Sequence, residues 1–441
     1  MLFNKKMIEI FQALIQFFIL FIFFLFPITP QVNNILLKKY NFKIFDIICI
    51  NIILNLNCYL FLSALKINLN ILFIINAICA LIFFFFHFKK NILFLKKIEF
   101  QIIFLFFIVN ISLFLNSMND LKLHWDGVAH WIFKASAYFQ GLGFVNTGNT
   151  AYPHLGGFVW GYFWKNSIIQ KEYVGRLTFI FIYVSSIFCL MSLFKKTIKV
   201  IYQLLFVTII LALTYDKDLF GGYQDYLIFS LLIINSRFLY LIINTTNKNK
   251  FLVIIFFLSA YIGSWIKQEG FVYFIITTLL LIIFEKEEKK KLYFLLTLLT
   301  LIFSYFVLKK IFNNQLSFDQ ELNSQLFASV NFFNTIEILK NINFNIIVAI
   351  FKYPLWILTL IGIYLSVINK KNYYQFKHFY FFLLLNIIFI YSIMIFTCLN
   401  IGTSGCELVL RVSLDRIIFQ TSGFYLIFII LFLKELKVFK N

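Results

Sequence analysis

The sequence predicts an all-α polytopic membrane protein. Of its 441 residues, 61% are hydrophobic, and the mean hydropathy is +0.88, whereas soluble domains contain roughly 45–50% apolar residues. Stretches such as 10–28 and 379–399 reach the roughly 20 apolar residues that a helix needs to cross hydrocarbon. The two-residue alternation of a transmembrane β-barrel does not occur in the sequence. We expect one integral membrane domain over residues 1–441.

The apolar stretches predict about 13 membrane-spanning helices. In chain order they cover residues 8–28, 44–65, 68–88, 99–117, 174–194, 200–215, 226–244, 251–266, 271–284, 292–308, 346–368, 376–398 and 418–434. The segments 251–266 and 271–284 are shorter than usual and flank a polar turn. Short arms would draw that turn toward membrane depth, where charged side chains are costly unless they are paired or functional.

The formal charge of +20 resides largely in lysine runs between apolar segments. These runs are Lys89-Lys90, Lys195-Lys196, Lys289–Lys291 and Lys370-Lys371. They are typical of cytoplasmic loops under the positive-inside rule, so we expect a bilayer and no nucleic acid as partner. If successive spans cross the membrane in alternating directions, the segments outside are 118–173, 216–225, 267–270, 309–345 and 399–417. Thirteen spans would also put Lys5 and Lys6 outside, so the first segment is re-entrant or the count is off by one.

The loop 118–173 lies between apolar segments and contains the more polar sequence HWDGVAHWIFKASAYFQGLGF. A helix beginning at Asp126 would place Asp126, His130 and Lys134 on one face, four residues apart. Its apolar face indicates a helix at the outer bilayer surface. The alternative is structural: the acid caps a helix, the histidine is one residue of a polar face, and the lysine extends toward water.

A second polar motif occurs later in the same loop. Tyr152-Pro153-His154-Leu155 precedes a predicted helix over 158–164, and Pro153 suits a first helical turn. Four tryptophans also lie in this loop: Trp125, Trp131, Trp160 and Trp164. Their faces would stack on sugar rings or form an ordinary interfacial belt, and both interpretations stay open.

Three further outward turns carry charge. Gly222-Tyr223-Gln224-Asp225 opens a predicted span, Lys267-Gln268-Glu269-Gly270 joins the two short arms, and Arg411–Arg416 precedes the last span. An arginine at headgroup level would bind a phosphate. The structural alternatives are an N-cap, a Lys–Glu pair, and surface pairs between Asp415 and the nearby arginines. Most of the six cysteines lie in apolar segments and act as small hydrophobes; pairing of Cys398 with Cys406 in an oxidising compartment is the less favoured alternative.

The ordered set of motifs resembles the membrane-embedded GT-C glycosyltransferases. The resemblance is to the bacterial group related to protein O-mannosyltransferases and lipid A aminoarabinose transferases. It consists of Asp126 in the first large outward loop, a YPPL-like motif at Tyr152–Leu155, a GYxD turn at Gly222–Asp225 and a K-x-E-G turn at Lys267–Gly270. It covers roughly residues 115–275 and, more weakly, 405–425. The sequence departs from the pattern at Gly127, where relatives carry a second acid, and at His154.

The resemblance implies an inverting glycosyltransferase at the outer face of a bacterial inner membrane, with its active site toward the periplasm. The donor would be a polyprenyl-phosphate sugar, the acceptor a lipid, glycan or protein hydroxyl, and Asp126 the general base. The expected substrate-binding residues are His130, Lys134, Tyr152, His154, Asp225, Lys267, Glu269 and Arg416. No cofactor is certain, although Mg²⁺ or Mn²⁺ fits the family. An O-antigen polymerase or ligase, or a multi-pass transporter or flippase, is the alternative.

Overall fold

The computed structural model describes residues 2–25, 44–65, 67–86, 100–119, 122–143, 152–194, 200–216, 220–244, 250–312, 332–368, 370–401, 406–407 and 410–435. These described residues form helices and connecting turns, and no strand occurs among them. The chain divides into two compact units, residues 1–149 with 153–230, and residues 150–152 with 231–440. The expectation of a single integral domain stays a prediction.

The described residues of the first unit form eight helices and the beginning of a ninth. They are α1 (Leu2–Leu25), α2 (Ile44–Ser63), α3 (Leu69–Phe86), α4 (Phe100–Asn119), α5 (Ile132–Phe139), α6 (Leu155–Lys165), α7 (Glu172–Cys189), α8 (Val200–Thr214) and α9 (Asp225–Asn244). Most of α9 belongs to the second unit, together with α10 (Lys250–Gly263), α11 (Gln268–Ile283), α12 (Glu288–Ile311), α13 (Phe332–Lys352), α14 (Pro354–Ile368), α15 (Lys370–Ile401) and α16 (Asp415–Glu435).

The helices confirm a polytopic helical membrane protein. Within the described part of the chain, eight helices are long and apolar enough to cross a bilayer: Met7–Leu25, Ile44–Ser63, Phe100–Asn119, Glu172–Leu193, Asp225–Ile243, Glu288–Ile311, Phe376–Cys398 and Asp415–Leu433. Four shorter apolar helices and one bent pair coincide with the remaining predicted segments. The number of 13 spans therefore stays a prediction, while the multi-pass class is established.

The predicted span 346–368 is not one straight helix. Helices α13 and α14 meet at Tyr353 with a bend of 101°. Pro354 is the physical reason, because its ring excludes the α conformation at the preceding residue and its nitrogen has no hydrogen to donate. Proline is instead well suited to begin a helix, as it does in α14.

Helix α7 is the centre of the first unit, and it carries part of the candidate site at its N-terminal end. Every residue in its 18-residue apolar window is buried, and α2, α4, α6 and α8 pack against it. Phe106 of α4 joins the layers: its ring centroid lies 4.9 Å from Phe45 of α2 and 5.4 Å from Phe181 of α7. Aromatic pairs at this spacing stabilise a core beyond the area they bury.

Several sequence predictions fall outside the described residues. They concern residues 120–121 and 144–151 of the outward loop 118–173, the lysine runs at 89–90 and 195–196, and residues 313–331 of the late outward loop.

Candidate functional site

A π-turn begins the predicted catalytic loop. Residues Gly127–Trp131 form this turn, and the Ile132 N–H donates to the Gly127 carbonyl five residues earlier. A regular helix would have placed Asp126, His130 and Lys134 on one stripe, but the inserted residue rotates the later part of the helix by about 100°. The predicted stripe is therefore interrupted. Such π-turns occur frequently at functional sites.

Two backbone segments meet beside Asp126. A Cβ atom added at Gly127 would lie 2.6 Å from the Gly221 carbonyl oxygen and 3.2 Å from Gly222 Cα. The His124 N–H donates to that same carbonyl oxygen at 2.8 Å. Gly222 has φ +102°, a left-handed conformation that side chains disfavour. The sequence motifs around Asp126 and Gly222–Asp225 are thus brought together through glycine backbone.

Glycines also join the rest of the site to α7. A Cβ at Gly161 of α6 would lie 2.5 Å from the Ala135 carbonyl oxygen of α5, and one at Gly157 would meet Lys134. One at Gly175 of α7 would lie 2.3 Å from the Trp160 carbonyl oxygen. Small residues at such crossings let helix backbones approach closely in membrane proteins. This spacing explains the glycine-rich sequence between His154 and Gly161.

Three polar side chains are enclosed at this junction. Asp126 is 6% exposed, and Gln224 and Asp225 are fully buried. A Cβ at Gly156 would lie 2.2 Å from Gln224 Oε1, so the amide packs directly on that glycine. Neither amide atom of Gln224 has a hydrogen-bond partner among the described residues. A buried amide in this state costs free energy unless a water or ligand completes its bonds.

His154 makes a contact that fixes its protonation. Ser63 Oγ donates to the Leu60 carbonyl oxygen at 2.6 Å, so at 2.7 Å it accepts from His154 Nε2–H. Burial, and secondarily the charge of Lys134, hold the pKa of His154 well below its usual 6.5. His154 is therefore a neutral donor, 1% exposed, that fastens the loop to the end of α2.

The tryptophans of the loop differ in burial. Trp131 and Trp160 are fully buried, Trp164 is half-buried, and Trp125 is 72% exposed. The buried pair is thus unavailable both to an interfacial belt and to a sugar ring, which corrects the two interpretations considered for all four. Trp125 packs edge-to-face on His130, with ring centroids 5.5 Å apart, so this pair forms part of the accessible aromatic surface of the loop.

The second unit contains the predicted Lys267 turn and confirms its pairing. The arms of the hairpin have 14 and 16 residues. Lys267 Nζ lies 3.1 Å from Glu269 Oε1, with side chains 3% and 18% exposed. A pair of this kind offsets the cost of burying either charge alone. Tyr152 also belongs to this unit and is half-buried.

The segment before the last span holds an ion pair that sequence proximity does not indicate. Asp415 Oδ2 accepts from Lys352 Nζ at 2.6 Å, and a second π-turn, Leu410–Leu414, precedes it. Arg416 is half-buried in the first turn of α16. Cys398 and Cys406 form a disulfide just upstream, a pairing that the sequence did not favour.

A divalent metal has no evident ligand set. Among the described residues, no three His, Cys, Asp or Glu side chains lie together as a metal-binding group. Mg²⁺ and Mn²⁺ prefer several oxygen ligands, so the described residues do not fit the ion. The metal considered from sequence stays a prediction, and no chemical step is derived through it.

Sequence reasoning missed Gln224, which it treated as a spacer, and Arg176. Arg176 is 2% exposed and forms two bonds to Glu172, at 2.8 and 3.2 Å, and one to the Phe220 carbonyl oxygen at 2.9 Å. An arginine four residues after an acid, at the start of an apolar span, was the available signal. Comparison with protein-family models, with curated proteins and with solved structures found no match for this chain.

Proposed function

We propose that this protein is a GT-C-type glycosyltransferase that moves a sugar from a polyprenyl phosphate to an acceptor hydroxyl. The observation that carries the proposal is the enclosed carboxylate of Asp126, 6% exposed, at a π-turn packed against the glycines before Asp225. Active sites commonly combine a buried titratable group with irregular backbone that other elements hold in place. The order of motifs that resembles this family supports the same assignment.

The proposed chemistry is an inverting displacement. Asp126 accepts the proton of the acceptor hydroxyl while that oxygen attacks the anomeric carbon. The bond from the anomeric carbon to the phosphate oxygen breaks, and polyprenyl phosphate leaves with the electron pair. Lys267 and Arg416, which belong to the second unit, stay sequence-based candidates for neutralising the leaving phosphate. Asp225 and the amide of Gln224 would bind hydroxyl groups of the sugar or acceptor.

The proposed location is a bacterial inner membrane, with Asp126 facing the periplasm. The disulfide supports this orientation, because Cys406 lies in the loop 399–417, which lysine alternation assigns to the outside. Disulfides persist in oxidising compartments such as the periplasm and are rare in the cytosol. Lys289–Lys291, at the start of α12, lie on the opposite, cytoplasmic side in the same scheme.

Transfer from a panel of undecaprenyl-phosphate sugars in purified membranes, measured by product mass, tests the proposal. We expect Asp126→Asn to retain expression and thermal stability and to lose about 10²–10⁴-fold in rate, the usual contribution of a general base. Glu407→Gln is the matched control: it removes an exposed carboxylate in another loop assigned to the outside, and its rate should equal that of the wild type. Full activity of Asp126→Asn would end the base assignment.

A transporter is the second candidate, and two residues of the second unit favour it. Arg237 and His378 are 4% and 1% exposed inside candidate spans, and the His378 ring lies 6.2 Å from that of Tyr240. Ionisable groups within the bilayer commonly line transport paths. Uptake of a lipid-linked sugar into proteoliposomes, with the mass of that sugar unchanged, would favour a transporter over a transferase. This uptake should be lost in Arg237→Gln.

A further inference from the structure

The first unit contains a polar cleft at the ends of α4 and α8 that the proposed function does not use. Its walls are Asn116, Ser117, Lys122, Arg176, Tyr215 and the backbone of Phe220-Gly221. Gly221 connects it to the candidate site, since the carbonyl oxygen of this residue receives the His124 N–H. The cleft is partly open and has room for about one oxygen-sized group.

The charge of the cleft favours an anion. Lys122 is exposed at the cleft, and no carboxylate occurs among the described lining residues. The Arg176 guanidinium is buried and held by Glu172 on one edge and by the Phe220 carbonyl oxygen at Nη1. Glu172 offsets the charge of Arg176, so Lys122 supplies the net positive charge. Three of the five guanidinium N–H groups are used in these bonds, which leaves two as donors to a ligand.

Ser117 supplies an independent indication of a ligand. Its side chain is 6% exposed, and its hydroxyl has no hydrogen-bond partner among the described residues. A serine in a helix usually bonds to the carbonyl oxygen one turn earlier when nothing else is offered. Leaving a buried hydroxyl unsatisfied costs free energy, so an acceptor atom from outside the chain would be stabilised here.

Apolar side chains are exposed on both helices that end at the cleft. On α4, Phe104 and Ile108 are 50% and 41% exposed, and on α8, Leu205 and Ile209 are 57% and 48% exposed. Helices α4 and α8 pack on each other, and both end at the cleft. A ligand with an anionic oxygen at one end and hydrocarbon below it matches this arrangement, whereas a free ion would leave the apolar surface unused.

We propose that this cleft binds the phosphate of an anionic phospholipid whose chains lie along α4 and α8. A phosphate oxygen accepts hydrogen bonds from Ser117 Oγ and the spare Arg176 N–H groups, and the Lys122 ammonium neutralises its charge. The site does not depend on the transfer reaction, because none of its lining side chains is assigned to that chemistry.

Native mass spectrometry of the full-length protein in detergent, titrated with phosphatidylglycerol, tests the site. We expect Lys122→Gln to weaken the apparent Kd about fivefold, as the loss of one lysine near a membrane surface predicts. Ser117→Ala should weaken it about two- to tenfold, as expected for a removed hydrogen bond. The control is Lys165→Gln, which removes the same charge from a residue that lies over the Phe139 ring and does not line the cleft.

The comparison probes decide the source of the phosphate. Phosphatidylcholine should bind more weakly than phosphatidylglycerol, and inorganic phosphate at equal concentration should not compete. Competition by inorganic phosphate would identify a free-ion site and overturn the lipid assignment. Equal losses in Lys122→Gln and Lys165→Gln, or unchanged binding in both Lys122→Gln and Ser117→Ala, would overturn the site. Retained transfer activity in Lys122→Gln keeps this result separable from the proposed enzyme function.

Discussion

Gly127→Ala tests whether the glycine contact holds the Asp126 segment in place. The new methyl group would lie 2.6 Å from a carbonyl oxygen and 3.2 Å from a Cα atom. Because both neighbours are backbone atoms, no side chain can rotate away, and the segments must separate by roughly half an ångström. Overpacking of this kind costs about 1–3 kcal/mol, while alanine recovers about 0.5–1 kcal/mol over glycine in helical backbone. We expect a net loss of about 1–2 kcal/mol.

Thermal unfolding in detergent measures this loss. At the 2–4 °C per kcal/mol typical of larger domains, Tm should fall by about 2–8 °C. The matched control is Gly263→Ala at the end of α10, where the nearest atoms to an added Cβ lie 3.7 and 3.9 Å away, at ordinary contact distance. Its Tm should stay at or slightly above that of the wild type, since alanine is favoured over glycine in a helix and nothing obstructs the methyl group. An unchanged Tm in Gly127→Ala, or an equal fall in both variants, would refute the backbone contact.

The buried groups and the disulfide lead to three further expected outcomes. Because the pKa of His154 is lowered in the folded protein, the unfolded chain takes up a proton at this residue first as the pH falls below 6.5. The free energy of unfolding should therefore fall by up to about 1.4 kcal/mol per pH unit below pH 6.5 and should not change with the titration of this residue above it. In thermal melts of His154→Asn, this pH dependence should be smaller. Glu172→Gln should lower the free energy of unfolding by about 2–3 kcal/mol, because its partner Arg176 is buried. Glu287→Gln, which breaks an exposed ion pair, should lower it by about 0–1 kcal/mol. Equal melting temperatures of the two variants would contradict this. In a variant without the other four cysteines, Cys398 and Cys406 should react with an impermeant maleimide only after reduction, and labelling before reduction would contradict the disulfide.

The sequence was sufficient where a pattern is local. Apolar segment length predicted the helices, and Asp225 begins α9 as its motif suggested. The short arms indicated that Lys267 and Glu269 would be paired or functional, and the structural alternative, the pair, is observed. Each depends on residues that are neighbours along the chain, for which periodicity and burial cost are direct guides. The bend at Pro354 was also readable from proline chemistry, although the apolar run concealed it.

The site itself required contacts between distant residues. Gly127 and Gly222 touch through backbone, and nothing in either local sequence specifies the other as partner. The π-turn depends on the same packing, because a regular helix is favoured by local propensity alone. The burial of Trp131 and Trp160 could not be predicted for a related reason. An aromatic residue in a membrane loop fits both the membrane interface and the protein core until its neighbours are known.

Two variants together, Asp126→Asn and Gly127→Ala, distinguish the chemical role of the Asp126 carboxylate from the positioning of its segment. If Asp126 is the general base, Asp126→Asn removes the proton acceptor but keeps the shape of the side chain, so the rate falls while Tm is retained. Gly127→Ala retains the carboxylate but displaces the segment that carries it, so rate and Tm fall together. A capping or purely structural acid predicts the reverse for Asp126→Asn, with stability lost and residual rate tracking the folded fraction. Measuring both quantities for both variants therefore distinguishes a catalytic carboxylate from a structural one.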